Sequence, residues 1–91
     1  MHEIYSNINL ERNKKILKKA LSLKNKRINI YGDLCIGDKV FYRRSHLSEF
    51  NISIILNRWS DGIIIITEKT LSIINVPIQE INDNMLFRRL E

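Results

Sequence analysis

The sequence contains few of the residues that build catalytic, metal-binding or disulfide-stabilised proteins. Its 91 residues include one cysteine, three glycines, one proline and two histidines, His2 and His46. A single thiol, Cys35, can form neither an internal disulfide nor a multi-thiolate metal site, and the two histidines are too far apart for zinc-ligand spacing. Three scattered glycines make no phosphate-cradling loop. We therefore expect no enzyme activity, no bound metal, no cofactor and no small-molecule substrate.

A long apolar run is also missing. The longest, Ile63 to Ile66, is far below the roughly 18 residues that indicate a membrane span, and the chain does not start with an apolar signal segment. We expect an intracellular protein with no membrane partner. A chain of this length can bury one modest core, so residues 1–91 are predicted to form a single domain.

Positive charge is abundant and concentrated in the first half of the chain. The formal net charge is +5, and eight basic side chains lie between Arg12 and Arg27 with no acidic side chain among them. A polyanion would be attracted to this segment first.

The same segment has helical periodicity over residues 9–24. Its apolar residues fall within one arc at 100° per residue, and most of its basic residues fall on the opposite side. Asn9 is a plausible N-cap, and Glu11 in the first turn suits the helix dipole. The apolar arc consists of Leu10, Ile16, Leu17, Ala20, Leu21 and Leu23.

After the helix the period changes to two and β-branched residues become frequent, which indicates strands. Turn residues separate short segments at 28–31, 39–44, 51–59, 63–68 and 71–76, and a sixth at 85–89 could close the set. Five or six short strands predict a small, antiparallel, SH3-like barrel over residues 27–89. The fold class is thus mainly β with an N-terminal α-helix. The helix is expected to cover the outer face of the Ile63–Ile66 strand.

Two sets of basic residues are candidates for contacting phosphates. Lys15 and Lys19 are like-charge neighbours at i, i+4, an arrangement that slightly opposes the isolated helix and that a polyanion would relieve. A second set alternates with aromatic residues on the strands, which suits stacking on bases, although Phe41, Trp59 and Phe87 are also expected to fill the barrel. The predicted nucleic-acid-binding residues are Arg12, Lys15, Lys18, Lys19, Arg43, Arg44 and Arg58.

One stretch of motifs resembles a known family. A Gly37-Asp38 turn leads into Lys39 to Arg44 (KVFYRR), Arg58-Trp59 follows ahead of Gly62, and Leu86 to Arg89 closes the chain in the basic sequence LFRR. This order resembles the C-terminal domain of retroelement integrases over about half of the chain. The resemblance implies an SH3-like barrel that binds DNA with little sequence selectivity and that often mediates multimer contacts.

The sequence therefore predicts a non-catalytic nucleic-acid-binding module, with duplex DNA as the preferred partner. The alternative is a small adaptor or inhibitor, encoded by a mobile element or virus, that docks on an acidic protein. Strand edges and the isoleucine-rich tail also make a homo-oligomer an open possibility.

Overall fold

The first described element is the helix that the sequence predicts. In the computed structural model, which describes residues 10–82 and 86–88, α1 spans Leu10–Leu23 and continues as a 3-10 turn at Lys24–Lys26. The turn ends at Arg27, whose left-handed φ of 52° lets its N–H donate to the Lys24 carbonyl. The predicted N-cap, Asn9, lies outside the described residues.

Seven strands in two antiparallel sheets follow α1. The first sheet is the hairpin β1 and β2, and the second has five strands in the order β6-β5-β4-β3-β7. A short helix, α2 (Ile78–Asn82), connects β6 to β7. The strands are β1 (Asn29–Tyr31), β2 (Leu34–Cys35), β3 (Lys39–Tyr42), β4 (Asn51–Trp59), β5 (Gly62–Thr67), β6 (Ile73–Pro77) and β7 (Leu86–Arg88).

This architecture confirms a mainly β fold with an N-terminal helix, but the described strands do not form a closed barrel. The edge strands β6 and β7 do not pair with each other. Side chains of the β1–β2 hairpin and of α2 pack against the concave side of the large sheet in place of a closing ladder: Ile30, Tyr31, Ile78 and Ile81. The sequence did not predict β2 or α2, because two and five residues are too short to show a period. Met85 and Arg89, predicted for the last strand, lie outside the description.

The large sheet separates two apolar clusters. The inner cluster, on the concave face, includes Val40, Ile55, Ile63 and Ile65. The outer cluster contains Ile54 and Ile66 and is covered by Ala20, with Leu17 and Leu23 of α1 packed beside it. The Ile63–Ile66 run is therefore covered on both sides, as predicted, and α1 supplies part of the outer cover.

A bulge in β4 changes which side chains face each cluster. Ile55 is opposite Ile65, but the next opposed pair is Asn57 and Ile64, so β4 contains one extra residue. If β4 alternated regularly through Leu56, the alternation that points Ile55 inward would also point Trp59 inward. With it, Trp59 shares the outer face with Asn57 and is 67% exposed. The expectation that Trp59 fills a barrel interior is therefore wrong.

A turn at Gly37 and Asp38 joins α1 to the large sheet. The Gly37 N–H donates to the Ile55 carbonyl at 2.8 Å, and the Ile55 N–H donates to the Asp38 carbonyl at 3.0 Å. The Asp38 carboxylate is 3% exposed. It accepts hydrogen bonds from the Cys35 N–H at 2.9 Å and from the Arg27 guanidinium at 3.0 Å. One buried carboxylate thus holds the turn and the residue that ends the helical segment.

Gly37 is the point at which the helix comes closest to this turn. Its φ is +91°, and a Cβ at this position would lie 2.6 Å from the Ala20 carbonyl oxygen and 3.0 Å from the Lys24 Cα. Gly32 has a similar positive φ of +57°, but a Cβ there would have no neighbour within 4 Å.

We expect Gly37→Ala to lower the free energy of unfolding by about 2 kcal/mol or more, because the methyl group must push α1 away from the sheet. Gly32→Ala is the matched control, with a cost of about 1 kcal/mol for the left-handed backbone alone. Urea unfolding followed by circular dichroism measures both. Equal losses for the two variants would contradict the close approach at Gly37.

The inner cluster contains one buried phenol, that of Tyr42. Tyr42 is 1% exposed, and its hydroxyl has no hydrogen-bond partner among the described residues. Burial raises the pKa of this phenol above its ordinary value of 10.0; the Glu80 carboxylate also raises it, and Arg44 lowers it. Tyr42 is therefore a neutral hydrogen-bond donor throughout the physiological pH range.

This raised pKa predicts a loss of stability at alkaline pH. The unfolded chain releases the Tyr42 proton near pH 10 while the folded chain retains it, so stability is complete below pH 10 and falls as the pH rises through the folded pKa. Tyr42→Phe should show a smaller alkaline decline. At pH 8 its stability should lie within about 1 kcal/mol of the parent, because the lost hydroxyl has no partner. Parallel pH profiles of unfolding free energy for the two proteins would disprove this.

Candidate nucleic-acid interface

Four of the predicted residues lie together on the side of α1 that faces away from the sheet. At 100° per residue they fall within an arc of roughly 120°, centred nearly opposite the buried Asn13 and Ala20. All four side chains are exposed. We call this set the cationic quartet: Arg12, Lys15, Lys18 and Lys19.

No member of the quartet forms an ion pair with a described carboxylate, although Glu11 lies on the same side of α1 and lines a groove together with Lys15 and Lys18. The ion pairs that join described residues are Lys14–Glu11 at 3.5 Å, Arg27–Asp38 at 3.0 Å and Lys39–Glu68 at 3.5 Å, and none of them includes a member of the quartet. Lys15 and Lys19, one helical turn apart, repel each other modestly. Four cations against the single carboxylate of Glu11 leave this side of α1 with an excess of positive charge that an anionic partner can neutralise.

The opposite side of α1 is held by a contact that the apolar pattern did not reveal. Asn13 lies within the apolar arc, is buried, and its side-chain amide donates to the Leu71 carbonyl at 2.9 Å. Leu71 has a φ of 56° and lies in the turn between β5 and β6. A polar residue inside an apolar arc is the sequence signal for such a bond. This bond and the packing of Ala20 fix which side of α1 faces solvent.

Arg43 follows β3 and is partly engaged by neighbouring side chains. Its guanidinium carbon lies 4.6 Å from the centre of the Phe50 ring, a cation–π contact, and its Nη2 lies 3.0 Å from His46 Nδ1. Phe50 in turn packs edge-to-face on Phe41, with ring centres 5.9 Å apart. Phe41 is thus half-buried on the outer face, and the Phe87 side chain lies outside the description.

Arg58 is engaged at the other end of the sheet. Its Nη1 donates to the Ile30 carbonyl at 3.3 Å and its Nε to the Ser60 carbonyl at 3.4 Å. Its guanidinium carbon lies 5.7 Å from the centre of the Tyr31 ring. Arg58 therefore links β4 to the β1–β2 hairpin, although its side chain stays exposed.

The strand arginines do not form one surface. Arg43 and Arg44 follow Tyr42, which is opposite Asn51 at the start of β4, whereas Arg58 is near the end of β4. At about 3.3 Å per residue these positions are roughly 20 Å apart. Arg44 lines a pocket at the Tyr42 end. The structure thus brings together the four helix residues and leaves the three arginines in two separate places.

Other site classes can be checked only in part. Within residues 10–82 and 86–88 there is no group of three His, Cys, Asp or Glu side chains that could hold a metal ion. No helix in the described part of the chain is long and apolar enough to cross a membrane. The chain matches no protein-family model, no curated protein and no solved structure.

The exposure of Trp59 predicts its fluorescence. Because Trp59 is the only tryptophan and sits at a hairpin on the outer face, acrylamide should quench its emission with a Stern–Volmer constant close to that of a free tryptophan derivative. Trp59→Ala should cost less than about 1 kcal/mol of stability, as exposed substitutions do. A blue-shifted, poorly quenched emission would show that Trp59 is covered.

Proposed function

We propose that this protein is a non-catalytic nucleic-acid-binding module that contacts the phosphate backbone through the cationic quartet. The observation that carries the proposal is that these four cations are exposed without a carboxylate partner while the other side of α1 packs on the sheet. A folded chain gains no ion pair from this arrangement, and neighbouring lysines repel each other. Phosphates spaced along a strand would supply the missing counter-charge.

The arrangement suits backbone contacts better than base reading. Lysine and arginine side chains on a solvent-facing helix reach phosphates without needing a fixed hydrogen-bond pattern, so binding with little sequence preference is expected. Arg43, with its aromatic neighbours, and Arg58, with Tyr31, are proposed as secondary contacts, since arginines supported by aromatic rings also suit stacking.

We further propose that the five-stranded sheet, β3 to β7, is SH3-like. Its strand arrangement would then be similar to that of the C-terminal domain of retroelement integrases. The strand order supports this, because the last strand returns to pair with the first strand of the sheet after a short helical turn. The edge strands β6 and β7 do not pair with each other, and side chains of the β1–β2 hairpin and of α2 pack on the inner cluster. Multimer contacts, which the resemblance implies, would use these edges.

The test is a binding titration with duplex DNA carrying 5′-hydroxyl ends, at several salt concentrations. Four phosphate contacts predict a slope of log affinity against log salt of about −3.6, at about −0.9 per contact. Lys15→Glu together with Lys19→Glu should weaken binding by at least about tenfold and reduce the slope by about 2. The circular dichroism spectrum should not change, because neither side chain is buried.

The matched control reverses the same amount of charge elsewhere. Lys26→Glu with Lys69→Glu changes two exposed lysines outside the quartet and should affect affinity far less, through long-range electrostatics alone. A slope near zero for the parent protein, or equal losses for the two double variants, would reject the quartet as the interface. Adding single-stranded DNA and RNA of the same length identifies the preferred partner.

A protein partner is the second candidate, and one observation favours it. A groove of about 500 Å³ between α1 and the outer face is lined mostly by apolar side chains, including Ile16, Leu23, Leu56 and Ile64, with Lys19 in its wall. An acidic amphipathic segment would fit this chemistry, with apolar side chains in the groove and carboxylates on the quartet. Amide shift changes at Leu56 and Ile64 on adding such a peptide, with no binding of nucleic acid, would favour this candidate.

A further inference from the structure

The hairpin between β4 and β5 presents an aromatic side chain on the outer face of the large sheet. Trp59, the last residue of β4, is 67% exposed there. Its partner across the hairpin is Gly62, which has no side chain to cover the indole. A Cβ at position 62 would collide with the side-chain oxygen of Asn75 on β6, so the sheet itself requires a small residue opposite Trp59. The indole therefore faces solvent without a side chain opposite it on β5.

The exposed indole continues the groove between α1 and the outer face. Asn57 and Ile64 are an opposed pair on β4 and β5, and both line this groove. Trp59 lies two residues beyond Asn57 on the same face, a distance of roughly 7 Å along the strand. The Asn57 side-chain oxygen accepts from the Arg58 N–H at 2.8 Å, which leaves the amide nitrogen of this exposed side chain as a donor. We call Asn57, Trp59 and Ile64 the hairpin strip.

Charges of opposite sign lie at the two ends of the hairpin strip. On the helix side, Lys19 lines the groove, and Arg12, seven residues earlier on α1, points within about 20° of the same direction. At the other end, Asp61 is exposed in the hairpin turn that follows Trp59. An anionic group is therefore attracted to the helix side of the strip and not to the turn, whereas an uncharged planar group suits the indole.

An unpaired nucleotide contains both kinds of group, an anionic phosphate and a planar base. Bases inside a duplex are stacked on each other, so only an unpaired base can offer its ring face to an indole. Building on the nucleic-acid-binding function proposed above, we propose that the hairpin strip binds a single-stranded segment, with one base stacked on Trp59 and neighbouring phosphates at Lys19 and Arg12. Stacking accepts every base, in agreement with the low sequence preference expected of the quartet. A base also matches the flat indole better than the branched aliphatic side chains of an acidic amphipathic helix do.

The test is a titration of the full chain with a labelled single-stranded oligothymidylate and with a blunt duplex of the same length. The single strand should quench the emission of Trp59, the only tryptophan, in a saturable way, and the duplex should not. Trp59→Ala should weaken single-strand binding at least about fivefold, and Trp59→Phe, which keeps a ring, should recover most of that loss. The slope of log affinity against log salt should stay the same in Trp59→Ala, because no phosphate contact is lost. Since the indole is exposed, both variants keep the fold.

A strand with abasic sites in place of its bases is the matched control on the ligand side. It keeps the phosphates, so it should bind the parent protein about as weakly as the complete strand binds Trp59→Ala, and Trp59→Ala should weaken it no further. Equal losses for the complete and abasic strands, or equal quenching by the duplex, would overturn the stacking site. A loss that depends on Trp59 with either DNA or RNA supports it, and the stronger of the two identifies the preferred sugar.

The same variants separate this inference from the proposed function. If Trp59→Ala binds every oligonucleotide as the parent does while Lys15→Glu with Lys19→Glu loses affinity, the quartet remains the interface and only the stacking site is rejected. If an acidic peptide quenches Trp59 in a protein that binds no oligonucleotide, both are rejected in favour of a protein partner.

Discussion

The fold depends on the close contact between α1 and the turn at Gly37. Because a glycine is present, the helix backbone reaches the turn directly, and the turn itself bonds to β4 on both sides through Gly37 and Asp38. Asp38 adds a buried carboxylate that ties the turn to Arg27. Burying this carboxylate costs desolvation, which the Cys35 N–H and the half-exposed Arg27 guanidinium offset, so the contact fixes geometry more than it adds stability. Ala20, whose carbonyl oxygen faces Gly37, and the adjacent Ile36 both belong to the outer cluster.

Because of this contact, the two sides of α1 have different environments. One side is committed to the outer cluster and to the Asn13–Leu71 bond, and the other has no structural task. Charge on the second side can therefore accumulate at a cost of only a few tenths of a kcal/mol per repelling pair. A cationic surface is thus compatible with the fold, and packing does not limit its composition.

The sequence predicted the helix, its orientation and most strands, because each shows a period over several residues. The double coverage of Ile63–Ile66 followed from its lack of alternation. Three features were not predictable in this way. The bulge in β4 adds one residue without any glycine or proline to mark it; α2 is too short for a period; and the pocket at Tyr42 gathers residues from segments that are distant in the sequence. The candidate residues on α1 could be grouped from the sequence, because the spacing of two residues in a helix determines the angle between their side chains. The positions of Arg43, Arg44 and Arg58 depend instead on how the strands pair, which the sequence does not show.

The bulge absorbs one extra residue of β4 without turning over either face of the strand. Leu56 is the extra residue of the bulge. Before it the odd-numbered residues of β4 point inward, and after it the even-numbered residues point inward. A chain that lacked position 56 would pair Asn57, Arg58 and Trp59 with the same partners on β5 and would still present the indole on the outer face. The hairpin surface of this fold therefore tolerates the gain or loss of a residue at the bulge, which changes the local twist of β4 and leaves the exposed side chains of the hairpin unchanged.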